Sequence, residues 1–172
     1  MLATIAVLAF LGALLYAAYH DATTYRIPNW LSVAIVADFL FAAAVAPLDM
    51  TAVGWHLSAG AALLVAGAGL FAAGVLGGGD AKLLAASGTW FGWGALAPYL
   101  IVVALLGGAL AVAILMLRRT PLPDSLSDKA WINRLHSPDE GVPYGVSIAL
   151  AGCVMAGKLP LAGVALAGVP GL

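Results

Sequence analysis

The sequence predicts an all-α membrane protein, a polytopic bundle of about six transmembrane helices whose N-terminus lies outside. Hydrophobic residues make up 63% of the 172 residues and charged residues only 9%, whereas soluble domains are about 25% charged. The 21 glycines favour close helix packing in lipid. A net charge of −1 creates no field that would recruit nucleic acid. This composition excludes a soluble enzyme, a nucleic-acid-binding protein and a disordered chain.

The first three crossings are predicted from apolar stretches, because a hydrocarbon core of roughly 30 Å needs a helix of about 20 residues. Residues 2–19 carry no ionisable side chain and lack the basic start of a signal peptide. The second crossing covers residues 29–46 and the third covers residues 51–76. Asp38 interrupts the second stretch, and we expect it to be a buried, hydrogen-bonded structural residue.

Residues 83–117 contain no charge, and as one helix they would be about 52 Å long, which is too long for a single crossing. We therefore predict two helices, at about 81–93 and 98–117. Four residues mark the region of the break: Gly88, Gly92, Gly94 and Pro98. The last span is predicted at about 142–157, and the apolar stretch 159–172 is expected to be an interfacial tail.

The distribution of basic residues supports six crossings within one domain, residues 1–172. Six of the seven basic side chains fall on one side of the predicted membrane: Arg26, Lys82, Arg118, Arg119, Lys129 and Arg134. Only Lys158 falls on the other side. The positive-inside rule makes the first side cytoplasmic, and the hydrophilic loop at about 118–141 lies there.

Two carboxylates are predicted at the same cytoplasmic boundary. Asp21 follows the first crossing and Asp80 follows the third, so two crossings separate them. Two facing carboxylates cannot both ionise easily and therefore share a proton. Such a pair can activate water for attack on a peptide carbonyl without a metal or another nucleophile. We accordingly expect no metal and no cofactor.

Glycines precede the second acid in the run Gly77-Gly78-Gly79-Asp80-Ala81-Lys82. Without side chains at Gly77 and Gly79, an extended substrate could lie against the backbone. A structural alternative is that the glycines end the third helix and Asp80 caps the fourth. Lys82 is either a site residue or a basic residue at the membrane boundary.

Three segments resemble the type IV prepilin peptidases, which are membrane aspartyl proteases. The run from Gly77 to Asp80 matches their Gly-x-Gly-Asp signature, and Asp21-Ala22-Thr23-Thr24-Tyr25-Arg26-Ile27-Pro28-Asn29 resembles their first catalytic segment. The third segment, Val142-Pro143-Tyr144-Gly145, resembles their C-terminal Pro-Tyr-Gly sequence. The small size is similar to that of the Tad/Flp-type members.

The resemblance implies an endopeptidase that removes the leader from prepilin-like precursors at the cytoplasmic face of the inner membrane, with Asp21 and Asp80 as catalytic residues. Its partners would be precursor polypeptides and membrane lipid. Larger members carry paired Cys-x-x-Cys motifs and N-methylate the new terminus. This chain has one cysteine, Cys153, and methyl transfer is not expected.

Two other classes of function are compatible with the sequence. A small proton- or cation-coupled carrier could use the paired acids together with Asp38 as an ion path. No paired half-sequences indicate the inverted repeats common in carriers. A noncatalytic assembly subunit of a secretion machine is the third possibility.

Overall fold

The protein consists mainly of helices in the part that a computed structural model describes, residues 1–121, 130–137, 140–159 and 161. These residues contain six α-helices and a short 3₁₀ turn, and no strand. The helices are α1 Leu2–Thr24, α2 Asn29–Val45, α3 Met50–Ala72, α4 Gly78–Leu117, α5 Ala130–His136 and α6 Tyr144–Val154, with the 3₁₀ turn at Ala156–Lys158. The all-α prediction is confirmed.

Helix α4 contains 40 residues but does not run straight. Gly92 has φ 57° and ψ 179°, which interrupts the helical backbone. The rings of Phe91 and Tyr99 stack with their centroids 4.2 Å apart, whereas eight residues of straight helix would separate them by about 12 Å. The chain therefore folds back at Gly92 into an N-terminal part, residues 78–91, and a C-terminal part, residues 93–117.

Two helices were predicted for this region, and Gly92 was among the proposed break points. The second part begins at residue 93, five residues before the predicted start at Pro98. Pro98 lies inside the helix, in its second turn, where it has no N–H to donate to the carbonyl of Gly94.

Three helices are long and apolar enough to cross a membrane: α1, α3 and α4. Helices α2 and α6 are also apolar, with 17 and 11 residues. The last helix is shorter than the predicted span of 142–157. The six-crossing count and the external N-terminus stay predictions.

Helix ends follow local sequence signals. The Asp49 carboxylate accepts the Ala52 N–H at 2.6 Å and caps α3. Gly74 follows the end of α3 with φ 71°, a left-handed position that favours glycine. Helix α2 begins at Asn29 directly after Pro28, as predicted.

The core forms around α4, which contacts α2, α3 and α6, while α1 contacts α2 and α6. Phe10 stacks on Trp90 with centroids 4.5 Å apart. Two large polar side chains in this core find carbonyl partners: Trp90 Nε1 donates to Ile35 O at 3.0 Å and Tyr99 Oη donates to Ile148 O at 3.3 Å. These bonds offset the cost of burying polar atoms.

Two sequence predictions lie wholly or largely outside the described residues. They are the position of Lys129 and the course of the tail 159–172, of which only residues 159 and 161 are described. Within the hydrophilic loop, residues 130–136 form α5.

We predict that Gly92→Ala destabilises the bundle. The φ/ψ pair at Gly92 is almost restricted to glycine and costs about 1–3 kcal/mol for another residue. An added Cβ would also lie 2.8 Å from His56 Cε1. The thermal unfolding midpoint in detergent should fall. Gly94→Ala is the matched control, because nothing lies within 4 Å of its Cβ position; an equal loss in both variants would contradict this account.

Candidate active site

Asp21 lies in the last turns of α1 and is buried, with 5% of its surface exposed. The helix ends at Thr24, and Tyr25 takes a left-handed conformation with φ 55°. The Tyr25 N–H donates to the Asp21 carbonyl at 2.8 Å. This reversal directs the chain from α1 into the Ile27-Pro28-Asn29 segment that begins α2.

Asp80 is the third residue of α4, in its first turn. Gly77, not Asp80, is the N-cap residue, so the alternative in which Asp80 occupies the cap position is not the arrangement observed. Asp80 instead lies beside the Gly77 amide, in the first turn, where a helix favours negative charge. None of residues 77–79 has a positive φ. The glycines therefore provide space rather than an unusual backbone conformation.

The two acids meet at the beginning of α6. The Gly145 N–H donates to Asp21 Oδ2 at 2.9 Å, in a buried bond between residues 124 positions apart. The Val146 amide also faces the Asp21 carboxylate. Asp80 lies near the same Gly145 amide and within the electrostatic field of Asp21. Both predicted acids thus face one backbone N–H.

Close packing at this point requires small residues. A Cβ at Gly145 would lie 2.8 Å from Asp21 Oδ2 and 2.7 Å from Ile27 Cδ1. A Cβ at Gly77 would lie 2.6 Å from Asp80 Oδ2, and one at Gly79 would lie 3.2 Å from Ile27 Cβ. All three segments that carry the sequence resemblance therefore contact one another here.

Asp80 also faces two cavities. One, of about 400 Å³, is lined by Asp80 together with Gly77, Gly141 and Tyr144. The other, of about 300 Å³, is lined by Asp80 together with Tyr25, Arg26 and Asn29. The Asp80 Oδ1 atom is buried and has no hydrogen-bond partner among the described residues. The Asp80 side chain therefore borders both cavities, while its Oδ1 atom is itself covered.

Lys82 bonds to a neutral partner rather than to the acids. Its Nζ donates to Asn29 Oδ1 at 2.8 Å, which joins the beginnings of α2 and α4. Both residues line one end of an open apolar groove of about 750 Å³ between α2, α3 and α4. Asn29 also lines the 300 Å³ cavity at Asp80. The groove and the cavity at Asp80 therefore adjoin at Asn29.

Asp38 does not join the pair, since it lies roughly 13 Å along α2 from Asn29. Its Oδ2 atom has no hydrogen-bond partner among the described residues, which differs from the expected hydrogen-bonded role. In the same described part of the chain, no group of three or more His, Cys, Asp or Glu side chains is arranged to hold a metal ion.

Two residues near the site were not singled out as site residues from the sequence. Tyr25 faces the Arg118 guanidinium, Glu140 and Asp21, and burial raises the pKa of its phenol while Arg118 opposes that rise. Arg118 had been considered only as a basic residue on the cytoplasmic side. No sequence signal distinguishes it from its neighbour Arg119.

Fold and site together define a helical membrane protein with a pair of acids at one end of the bundle. The family model for the type IV leader peptidase family matches residues 8–112, which include both acids. The chain belongs to this family.

A curated relative supports the assignment. The prepilin leader peptidase/N-methyltransferase of Aeromonas hydrophila is 32% identical over 79 residues, which cover 46% of this chain. The match spans only 22% of the length of that relative. No solved structure matches the chain.

We predict that Gly145→Ala lowers peptidase activity by at least about 10-fold, because misplacing a reacting group by 1 Å can cost about 100-fold in rate. The new Cβ would displace the Asp21 carboxylate or Ile27. Gly108→Ala is the matched control, since nothing lies within 4 Å of its Cβ position. Initial rates of precursor cleavage would measure the effect, and wild-type rates for Gly145→Ala would contradict the prediction.

Proposed function

We propose that the protein is a membrane aspartyl endopeptidase that removes the leader peptide from type IV prepilin-like precursors, with Asp21 and Asp80 as its catalytic pair. Family membership supports the reaction class. The observation that carries the assignment of the residues is that both carboxylates face the Gly145 amide. The site would act at the cytoplasmic face of the inner membrane.

The proposed mechanism uses one proton shared by the pair. The ionised acid removes a proton from water as the water oxygen attacks the peptide carbonyl carbon. The protonated acid donates its proton to the carbonyl oxygen, which forms a neutral tetrahedral intermediate. When the C–N bond breaks, the first acid gives its proton to the leaving amine, and the second acid, now ionised, takes a proton from a hydroxyl of the intermediate, so that a carboxylic acid forms and the shared proton of the pair is restored. The titration belongs to the pair, so the two roles are not divided between Asp21 and Asp80.

The open groove between α2, α3 and α4 is the proposed docking site for the apolar helix of the precursor. Small residues line much of it, among them Ala37, Gly60, Ala61 and Ala85, and small residues allow close approach of another helix in lipid. Its lining extends along α2 from Asn29 to Leu40, about 16 Å or three helical turns. Asn29 connects it to the cavity at Asp80, where the scissile junction would lie.

The relative's name includes N-methyltransferase, but we do not extend that activity to this chain. The match covers less than a quarter of the relative. Only peptide-bond cleavage is proposed.

Replacing either acid with asparagine should abolish leader removal. Asp21→Asn and Asp80→Asn each leave a side chain that cannot transfer the proton, and acid–base catalysis contributes about 10²–10⁴-fold. Cleavage of a detergent-solubilised prepilin precursor, followed by mass spectrometry of the products, would measure the loss.

Asp49→Asn is the control for these variants. Asp49 caps α3, and asparagine caps a helix as well as aspartate does, so this variant should fold and cleave normally. Full activity in either Asp21→Asn or Asp80→Asn would remove the proposed mechanism.

Filling the groove should impair cleavage of membrane-embedded precursors selectively. Ala37 lines the groove on α2, whereas Ala34, also exposed on α2, does not. We expect Ala37→Trp to lower the ratio of precursor cleavage to cleavage of a soluble junction peptide by about 10-fold, the scale of about 1.4 kcal/mol in binding. Ala34→Trp should keep the wild-type ratio. Equal ratios in the two variants would place the precursor helix elsewhere.

A further inference from the structure

Arg118, at the end of α4, holds three carbonyl groups of the segment that follows. Its Nε donates to Leu135 O at 2.9 Å. Its Nη2 donates to Glu140 O at 2.8 Å and to Gly141 O at 3.2 Å. One side chain therefore ties the end of α4 to α5 and to the turn before α6. A guanidinium suits this task, because its several N–H donors have a fixed planar geometry.

The turn held by Arg118 leads directly to the acid site. Only three residues separate Gly141 from Gly145, and one of them is Pro143, whose ring fixes φ at −72°. The Gly145 N–H then donates to Asp21. A displacement of the Glu140 and Gly141 carbonyls would therefore reach the Gly145 amide through a short, stiff connection.

Arg118 also lies close to Tyr25, the residue that is bonded to the backbone carbonyl of Asp21. Its guanidinium faces Tyr25, whose own N–H bonds to the Asp21 carbonyl. The Tyr25 hydroxyl is buried without a hydrogen bond of good geometry to any described residue. Tyr25, which ends α1, and the turn before α6 therefore both lie close to the Arg118 guanidinium.

A basic residue at a membrane boundary needs no such contacts, because positive charge alone favours the cytoplasmic side. Arg119, the next residue, is exposed, whereas Arg118 is half-buried with donors aimed at three backbone oxygens. We infer that Arg118 is a positioning residue for the acid pair, because it holds the turn that delivers the Gly145 amide to Asp21. The inference rests on the proposed function only for its effect on catalysis.

The test compares Arg118→Lys with Arg119→Lys. Both variants keep the charge, but a single lysine ammonium cannot donate to Leu135 and to Glu140 and Gly141 in the arrangement of the guanidinium. Cleavage of a soluble junction peptide in detergent gives kcat and KM. Arg118→Lys should lower kcat by about 10- to 100-fold and leave KM within about twofold. Arg119→Lys should match the wild type.

A second measurement follows the Gly145 amide directly and does not depend on activity. Hydrogen exchange of the segment around residues 141–148 should accelerate in Arg118→Lys and not in Arg119→Lys, while α1 to α4 stay protected. Arg118→Gln serves as a second variant that removes the charge. It should show the same local acceleration and an equal or larger fall in kcat.

Three results would overturn the inference: unchanged exchange in this segment, accelerated exchange with normal kcat, or faster exchange throughout the bundle with a lower unfolding temperature. The last result would give Arg118 only a stabilising role. If the wild-type protein itself fails to cleave the peptide, the proposed function fails, and the exchange measurement still decides whether Arg118 controls the Gly145 amide.

Discussion

The hydrogen bond from the Gly145 amide to the Asp21 carboxylate is the contact on which the site depends. It joins the end of α1 to the beginning of α6, and the first turn of α4 contributes Asp80 to the same point. A buried carboxylate is costly without donors, and a backbone N–H can supply one without adding a side chain. Glycine at position 145 is needed because any Cβ would collide with the acid that the amide serves.

The reversal of α4 at Gly92 makes this convergence possible. A straight helix of 40 residues would place its ends about 60 Å apart. Instead, Asp80 at its beginning and Arg118 at its end both lie near the Asp21–Tyr25 segment. Helix α4, broken once at Gly92, therefore carries Asp80 at its beginning and is followed by Arg118 at its end. Arg118 is the cation that holds the turn before α6.

The sequence predicts the long helices because apolar length is a signal that is local in the chain. The two predicted crossings between Asp21 and Asp80 led to the expectation that these acids lie at the same end of the bundle, and the structure brings them close to one amide. The position of the break in α4 could not be chosen from the sequence, because four residues were able to form it. The structure places the reversal at Gly92, where Phe91 stacks on Tyr99 and the His56 ring lies close to the glycine. The Gly145 amide and the Arg118 contacts could not be predicted, since a backbone donor leaves no trace in residue type and the partners of Arg118 are carbonyls.

The Asp80 Oδ1 atom differs in setting from the polar atoms of Trp90 and Tyr99 in the core. In the core, Trp90 and Tyr99 each donate to a carbonyl, so burial leaves these groups satisfied. Asp80 Oδ1 has no partner among the described residues, but its residue lines two cavities of about 400 and 300 Å³, each large enough for water and part of a peptide. An unpaired carboxyl oxygen is unfavourable in a closed core. Asp80 Oδ1 is itself covered, so a small movement of the Asp80 side chain would have to precede its contact with water in either cavity. The bundle therefore satisfies Asp21 with a backbone amide and leaves Asp80 Oδ1, beside two cavities, without a partner in the described part of the chain, an arrangement that the proposed hydrolysis would use and that stability alone would not favour.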